Sequence, residues 1–297
     1  MIPVLFELGP LRVYSYGLML GIAFLLGSAV MGRALKRRGL DPAIANTVTI
    51  FAVLFGIAGA KILYLIEEWN AFTLDPVRMT FSAGGLTWYG GFLLALLAVS
   101  LYIRRKKVPF MKVWDTLGIA LILAYGVGRV GCHLSGDGDY GQPTTLPWGT
   151  IYAQGTAKPT MMLEDYFRRE PAQRETWHYD SLRVLIGGKD NLGHFYTKFD
   201  AETPLHPTPL YELLLGVAGF FILLALEKKH LADGSLFMIY LMLSSTFRFA
   251  VEFLRLQPHL ALGLSEAQLF SIALFTLGGA GLALLQRRST SRTSGAG

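Results

Sequence analysis

Seven long apolar segments constrain this chain more than any other feature. They run at roughly 14–33, 46–66, 87–103, 112–128, 209–226, 235–254 and 266–285, each close to the roughly 20 residues a helix needs to cross a hydrocarbon core. Lipid offers no partner to unpaired backbone N–H and C=O groups, so such segments cross as helices that satisfy their own hydrogen bonds. The expected fold class is an all-α integral membrane protein of about seven transmembrane helices. A composition 52% hydrophobic and only 16% charged excludes an ordinary soluble domain.

The basic residues sort by side. Arg33, Lys36, Arg37 and Arg38 follow the first segment, Arg104, Arg105, Lys106 and Lys107 the third, Lys228 and Lys229 the fifth, and Arg287 and Arg288 the seventh. Basic residues concentrate on the cytoplasmic side of membrane helices, so these ends are expected inside, with the N-terminus outside and the C-terminus cytoplasmic. The net charge of +6 is explained by this clustering, with no nucleic-acid partner called for. The first segment does not read as a signal peptide, because its charges follow the apolar run. The expected organisation is a single membrane domain over 1–287 with a small extracytoplasmic cap at about 149–207, between spans four and five. Within the cap a short helix is expected at 164–169 and a short strand at 194–199. A disordered cytoplasmic tail, rich in Ser, Thr and Gly, is expected over 288–297.

The chemistry gathers in residues 126–147, where an apolar run gives way to Arg129, Cys132, His133, Asp137, Asp139 and several glycines. Ionisable groups at a membrane boundary are costly unless they meet a partner, cavity or ligand. Cys132 is the only cysteine, which excludes an internal disulfide framework and a Cys-rich zinc site. It reads as a small packed residue, with a covalent nucleophile as the alternative.

Four more patches fall at the outer ends of the spans. Tyr16 and Gly17 open the first. Tyr89, Gly90 and Gly91 open the third, where the glycines either expose free N–H groups to an anion or let two helices pack closely. His206, Tyr211 and Glu212 open the fifth. Arg248, Glu252 and Arg255 sit near the end of the sixth, at spacings of four and three that share one helical face. They form either a self-neutralising triad or part of a ligand site. Arginine's planar fork suits phosphate, so a phospholipid head group is the natural ligand for Arg129, Arg248 and Arg255 together.

These residues resemble the bacterial prolipoprotein diacylglyceryl transferases. The resemblance rests on Gly128-Arg129-Val130-Gly131 with the glycine-rich loop after it, on His206-Pro207 followed by Leu210-Tyr211-Glu212, on Arg248-Phe249, Glu252-Phe253 and Arg255, and on Tyr16-Gly17. It implies transfer of the sn-1,2-diacylglyceryl group of phosphatidylglycerol to the lipobox cysteine of a preprolipoprotein in the bacterial plasma (inner) membrane. Glycerol phosphate is released, and no cofactor or metal is needed. Arg129 and Arg248 would hold the phosphate and Tyr16 the head group, with Asp137 where the family often has an acid. Gly90, Gly91, His206, Glu252 and Arg255 would complete the lipid site. The chain departs from the family in having Tyr89 for a histidine, Cys132 for an asparagine, and one extra residue in the loop through Asp139. Tyr89 is the first candidate to accept the thiol's proton, ahead of His206, His133 and Glu252.

Three other readings compete. Gly136-Asp137-Gly138-Asp139 matches the Gly-x-Gly-Asp pattern of intramembrane aspartyl proteases, with Tyr179-Asp180 as its partner, but both fall in polar sequence. A transporter would be expected to show repeated halves, and this chain has none. A lipid-binding paralogue that has lost catalysis through Tyr89 is the third.

Overall fold

All seven apolar segments become helices, although their ends differ from expectation. The computed structural model describes residues 1–9, 11–82, 84–169, 185–189, 195–229 and 231–294. A hairpin of β1 (Val4–Leu8) and β2 (Leu11–Tyr14) leads into α1 (Ser15–Arg37), α2 (Ala43–Glu67), two short helices α3 (Trp69–Leu74) and α4 (Pro76–Phe81), α5 (Trp88–Arg105) and α6 (Phe110–Ser135). There follow α7 (Pro159–Arg169), a hairpin of β3 (Leu185–Lys189) and β4 (Phe195–Phe199), α8 (Thr208–Glu227) and α9 (Ser235–Glu252). A hairpin of β5 (His259–Ala261) and β6 (Leu264–Ser265) then leads into α10 (Glu266–Ser294). All three hairpins are antiparallel.

Among the described residues six helices are long and apolar enough to cross a membrane: α1, α2, α6, α8, α9 and α10 as far as Arg287. The seventh expected span, α5, has 18 residues and counts Arg104 and Arg105 among them, which lowers its hydropathy below that of the six. The protein is thus a mostly helical, multi-pass membrane protein. The helix expected at 164–169 lies within α7, and the expected strand is seen as Phe195–Phe199. His194, Tyr179 and Asp180 lie outside the described residues. Where an unstructured tail was expected past Arg287, α10 runs on to Ser294, through sequence with no Gly or Pro to stop it.

The chain divides into two compact units, Met1–Leu26 with Gly118–Gly297, and Gly27–Leu117. The second unit is held by a glycine seam between α2 and α5. A Cβ at Gly90 would lie 2.3 Å from the Gly59 carbonyl oxygen, and one at Gly91 would lie 2.7 Å from that of Gly56. Small residues let membrane helices approach until their backbones touch. Two of the cations in this unit find partners within it. Lys61 Nζ donates to the Ser82 and Gly84 carbonyls at 3.0 and 2.9 Å and to Ser82 Oγ at 3.0 Å. Arg38 pairs with the buried Asp115 at 3.0 Å.

The first unit packs α6 on α8 through another small-residue contact, since a Cβ at Gly216 would come 2.9 Å from the Ile122 carbonyl and one at Gly126 3.2 Å from that of Leu213. A Cβ at Gly131 would meet Tyr16 Cα at 3.2 Å. These contacts explain why α6 continues through Gly126 and Gly131 to Ser135, seven residues past its expected end at 128: tight packing outweighs the roughly 1 kcal/mol by which a helical glycine is less favourable than alanine. Beyond α6, Tyr140, Tyr152, Leu163, Tyr166, Leu205 and Leu256 form a small buried apolar core.

Candidate functional site: a buried arginine–carboxylate cluster

The longer α6 changes the site. Arg129 lies inside a helix, one turn after Tyr125, so the two share a face. The guanidinium stands 4.7 Å from the centre of the Tyr125 ring, and its Nη2 donates to the Tyr125 hydroxyl at 2.8 Å. That hydroxyl donates in turn to Glu212 Oε1 at 2.6 Å. Glu212 belongs to the first turns of α8, and its Oε2 lies 3.0 Å from Arg129 Nε.

Helix α9 supplies the rest. Arg248 Nη1 is 2.6 Å from Glu252 Oε2 one turn on, and 3.7 Å from Glu212 Oε1. Arg255, just past the helix end, reaches Glu252 at 3.6 Å and Glu212 at 3.7 Å, and it also pairs with Asp139. Asp139 bridges Arg255 to Arg129. Three guanidiniums therefore share three carboxylates, all within the first unit.

The loop carrying Asp139 is fixed by its backbone. Gly136 and Gly138 adopt φ of +59° and +97°, a region other residues resist. Gly141 N donates to the His206 carbonyl at 2.8 Å and Gln142 N to that of Leu254 at 2.7 Å. A Cβ at Gly141 would lie 2.3 Å from the Leu254 carbonyl, so only glycine fits. The Thr208 hydroxyl donates to the Asp139 carbonyl. Burial alone would raise the Asp139 pKa, but the guanidiniums of Arg255 and then Arg129 hold it well below the usual carboxylate range.

Exposure divides the arginines. The Arg255 side chain is 4% exposed, against 18% for Arg129 and 25% for Arg248, while Glu212 and Glu252 are each 2% exposed. Despite the short separations, Arg129 Nε, Arg248 Nη1, and Nε and Nη1 of Arg255 are buried without an aligned hydrogen bond, as are Glu212 Oε2 and Glu252 Oε2. Each of these nitrogens still lies within 4 Å of a carboxylate oxygen, and the attraction between them is Coulombic, which depends little on direction.

Of the expected site residues, Arg129, Arg248, Arg255 and Glu252 come together in this cluster. Asp137 lies beside it, its carboxylate accepting from Asp139 N at 3.3 Å, while Asp139 makes the arginine pairs. Although its tip is exposed, Asp137 is raised in pKa, first by burial and then by the charge of Asp139. Cys132 Sγ and the carboxylates of Asp137 and Asp139 lie within 4.8 Å of one another, but Arg129 Nη1 stands 3.6 Å from that sulfur and pairs with Asp139.

Tyr16 opens α1 beside Gly131 and is exposed. His206 turns to a different partner: its Nδ1 is 3.1 Å from the Tyr211 hydroxyl, which accepts from Trp148 Nε1 at 2.8 Å, and burial lowers its pKa. His133 Nδ1 is 2.9 Å from the Tyr152 hydroxyl. Tyr89, Gly90 and Gly91 belong to the other unit. Tyr89 is exposed beside Trp88, and both glycines face α2.

Sequence reading missed Tyr125 and Ser265 and left Asp139 and Glu212 out of the candidate site. Glu212 carried a signal, an acid within an apolar run, and Tyr125 is four residues before Arg129. Ser265 opens a Ser-Glu-Ala-Gln sequence, the pattern of a helix capping box.

The fold and site define a multi-pass membrane protein built around a buried arginine–carboxylate cluster. The family profile of prolipoprotein diacylglyceryl transferase matches residues 3–284. The chain is similar to the phosphatidylglycerol–prolipoprotein diacylglyceryl transferases of Trichormus variabilis (29% identity, covering 96% of this chain and 90% of that one) and Clostridium tetani (27%, 93% and 93%). That of Staphylococcus aureus is 28% identical over 93% of this chain and 86% of its own. The chain belongs to the prolipoprotein diacylglyceryl transferase family.

Proposed function

We propose that this protein transfers the sn-1,2-diacylglyceryl group of phosphatidylglycerol to the lipobox cysteine of preprolipoproteins, the first step of lipoprotein maturation. The thiolate sulfur attacks the glycerol carbon that bears the phosphoester oxygen. A carbon–sulfur bond forms, the carbon–oxygen bond breaks, and glycerol phosphate leaves with the electron pair. The observation that supports this reading is the partial exposure of Arg129 and Arg248, the two arginines of the cluster whose side chains are not sealed as that of Arg255 is.

In this reading Arg129 and Arg248 bind the lipid phosphate and stabilise the charge that grows on the leaving oxygen. Arg255 is the sealed member, and Glu252 and Glu212 hold the other two in place. Tyr16 and Asp137 border the head group, and His206, tied to Tyr211, shapes its outer edge. Tyr89 is the candidate acceptor of the thiol's proton, and Gly90 and Gly91 seat it by letting α5 lie against α2. The membrane is the bacterial plasma membrane, with the N-terminus and the 149–207 segment outside and the basic ends of α1 and α5 in the cytoplasm.

The test is incubation of the purified protein with labelled phosphatidylglycerol and a lipobox peptide. The expected product is a thioether-linked diacylglyceryl peptide. A protein that binds the lipid without making that product is a binding paralogue, and the transfer reading fails.

A further inference from the structure

We infer that Ser265 is a positioning residue for the reaction, through Glu252; this rests on the transfer reading above. The β5–β6 hairpin turns at Leu262 and Gly263, both with positive φ of 56° and 70°, and so delivers Ser265 to the start of α10. There the residue does two things at once. Its Oγ accepts from Gln268 N at 3.3 Å while its own N donates to Gln268 Oε1 at 3.0 Å, the reciprocal pair of a capping box. The one hydroxyl proton goes elsewhere, to Glu252 Oε1 at 2.7 Å.

That third bond separates the two oxygens of Glu252. Oε1 is held by the serine, which leaves Oε2 toward Arg248 at 2.6 Å and Arg255 at 3.6 Å. Ser265, Gln268 and Glu252 are all buried. Water therefore cannot readily replace the hydroxyl, and a carboxylate that loses a buried donor turns toward another one. That turn releases Arg248, which is held at closest range by Glu252. An ordinary helix cap has thus become the outermost link of the chain Ser265–Glu252–Arg248.

Asparagine and aspartate at position 265 separate the two roles. Both are good N-caps of nearly equal size, but only the asparagine amide can donate to Glu252, while aspartate sets a second carboxylate against it. Ser265→Asn is expected to keep transfer within a few-fold of the parent. Ser265→Asp and Ser265→Ala should each lose roughly tenfold or more, the scale of one charge-assisted hydrogen bond. Gln268→Ala, which weakens the same cap without touching Glu252, should lower thermal stability but leave the rate per folded molecule within about two- to threefold. Equal rates for Ser265→Asn and Ser265→Asp would overturn the inference, as would a Gln268→Ala loss matching that of Ser265→Ala. A parent with no transfer activity would instead remove the reaction itself, and the inference with it.

Discussion

Lys61 in the second unit and the arginine cluster in the first handle charge in different ways. In the second, Lys61 spends its three donors on the Ser82 and Gly84 carbonyls and the Ser82 hydroxyl, and Arg38 pairs with a buried aspartate. In the first, Arg129, Arg248 and Arg255 share Asp139, Glu212 and Glu252, and several donor atoms remain without aligned partners. A cation closed by neutral oxygens secures a loop. A cluster of three guanidiniums and three carboxylates instead satisfies its charges within itself, while the side chains of Arg129 and Arg248 stay in part exposed. Glycines differ in the same sense: the α2–α5 seam uses them to bring helices together, whereas Gly141 lets the loop carrying Asp139 press against the Leu254 carbonyl.

The largest effect would break the contrast outright. If Tyr89 accepts the thiol's proton, Tyr89→Phe loses a positioned base worth about 10²–10⁴-fold in rate, and Tyr89→His restores activity with an optimum shifted to lower pH. Initial rates against pH for the three proteins check this. A Phe variant as fast as the parent confines the chemistry to groups of the first unit. Next, Arg129→Lys keeps the charge but loses the fork that reaches Glu212, Asp139 and the Tyr125 hydroxyl together, and a loss of about 10²–10³-fold is expected. Arg104→Lys, at the basic end of α5, should match the parent in the same assay.

Smaller effects sharpen the comparison. Tyr125→Phe removes the hydroxyl that joins Arg129 to Glu212 and should cost about tenfold in transfer, with lipid binding less affected. Gly90→Ala should lower stability by about 1–3 kcal/mol as the seam is forced apart. Thermal unfolding in detergent reads this, and an unchanged midpoint would mean that α2 and α5 are not held by that contact.

Much of the helical framework was legible because apolar segments of spanning length have one backbone solution in lipid. The end of α6 was not, since Gly126 and Gly131 read as loop formers until the helices they touch are known. The arginines were legible as ionisable groups where charge is costly, and the spacing of Arg248, Glu252 and Arg255 already set them on one face. Their partners were harder to read. Asp139 and Asp137 alternate along one loop, and only the backbone bonds of Gly141 and Gln142 decide which carboxylate turns inward. Gly90 and Gly91 were equally compatible with an anion site and with close packing, and the 2.3 Å and 2.7 Å approaches to α2 favour packing.

The most direct measurement counts both products of a single reaction. Purified protein, phosphatidylglycerol labelled in its head group and a lipobox peptide should yield thioether-linked diacylglyceryl peptide and free glycerol phosphate in equal amounts. Both should fall together in Arg129→Lys and neither in Arg104→Lys. Thioether product formed at the parental rate by Arg129→Lys would contradict the role of the arginine cluster.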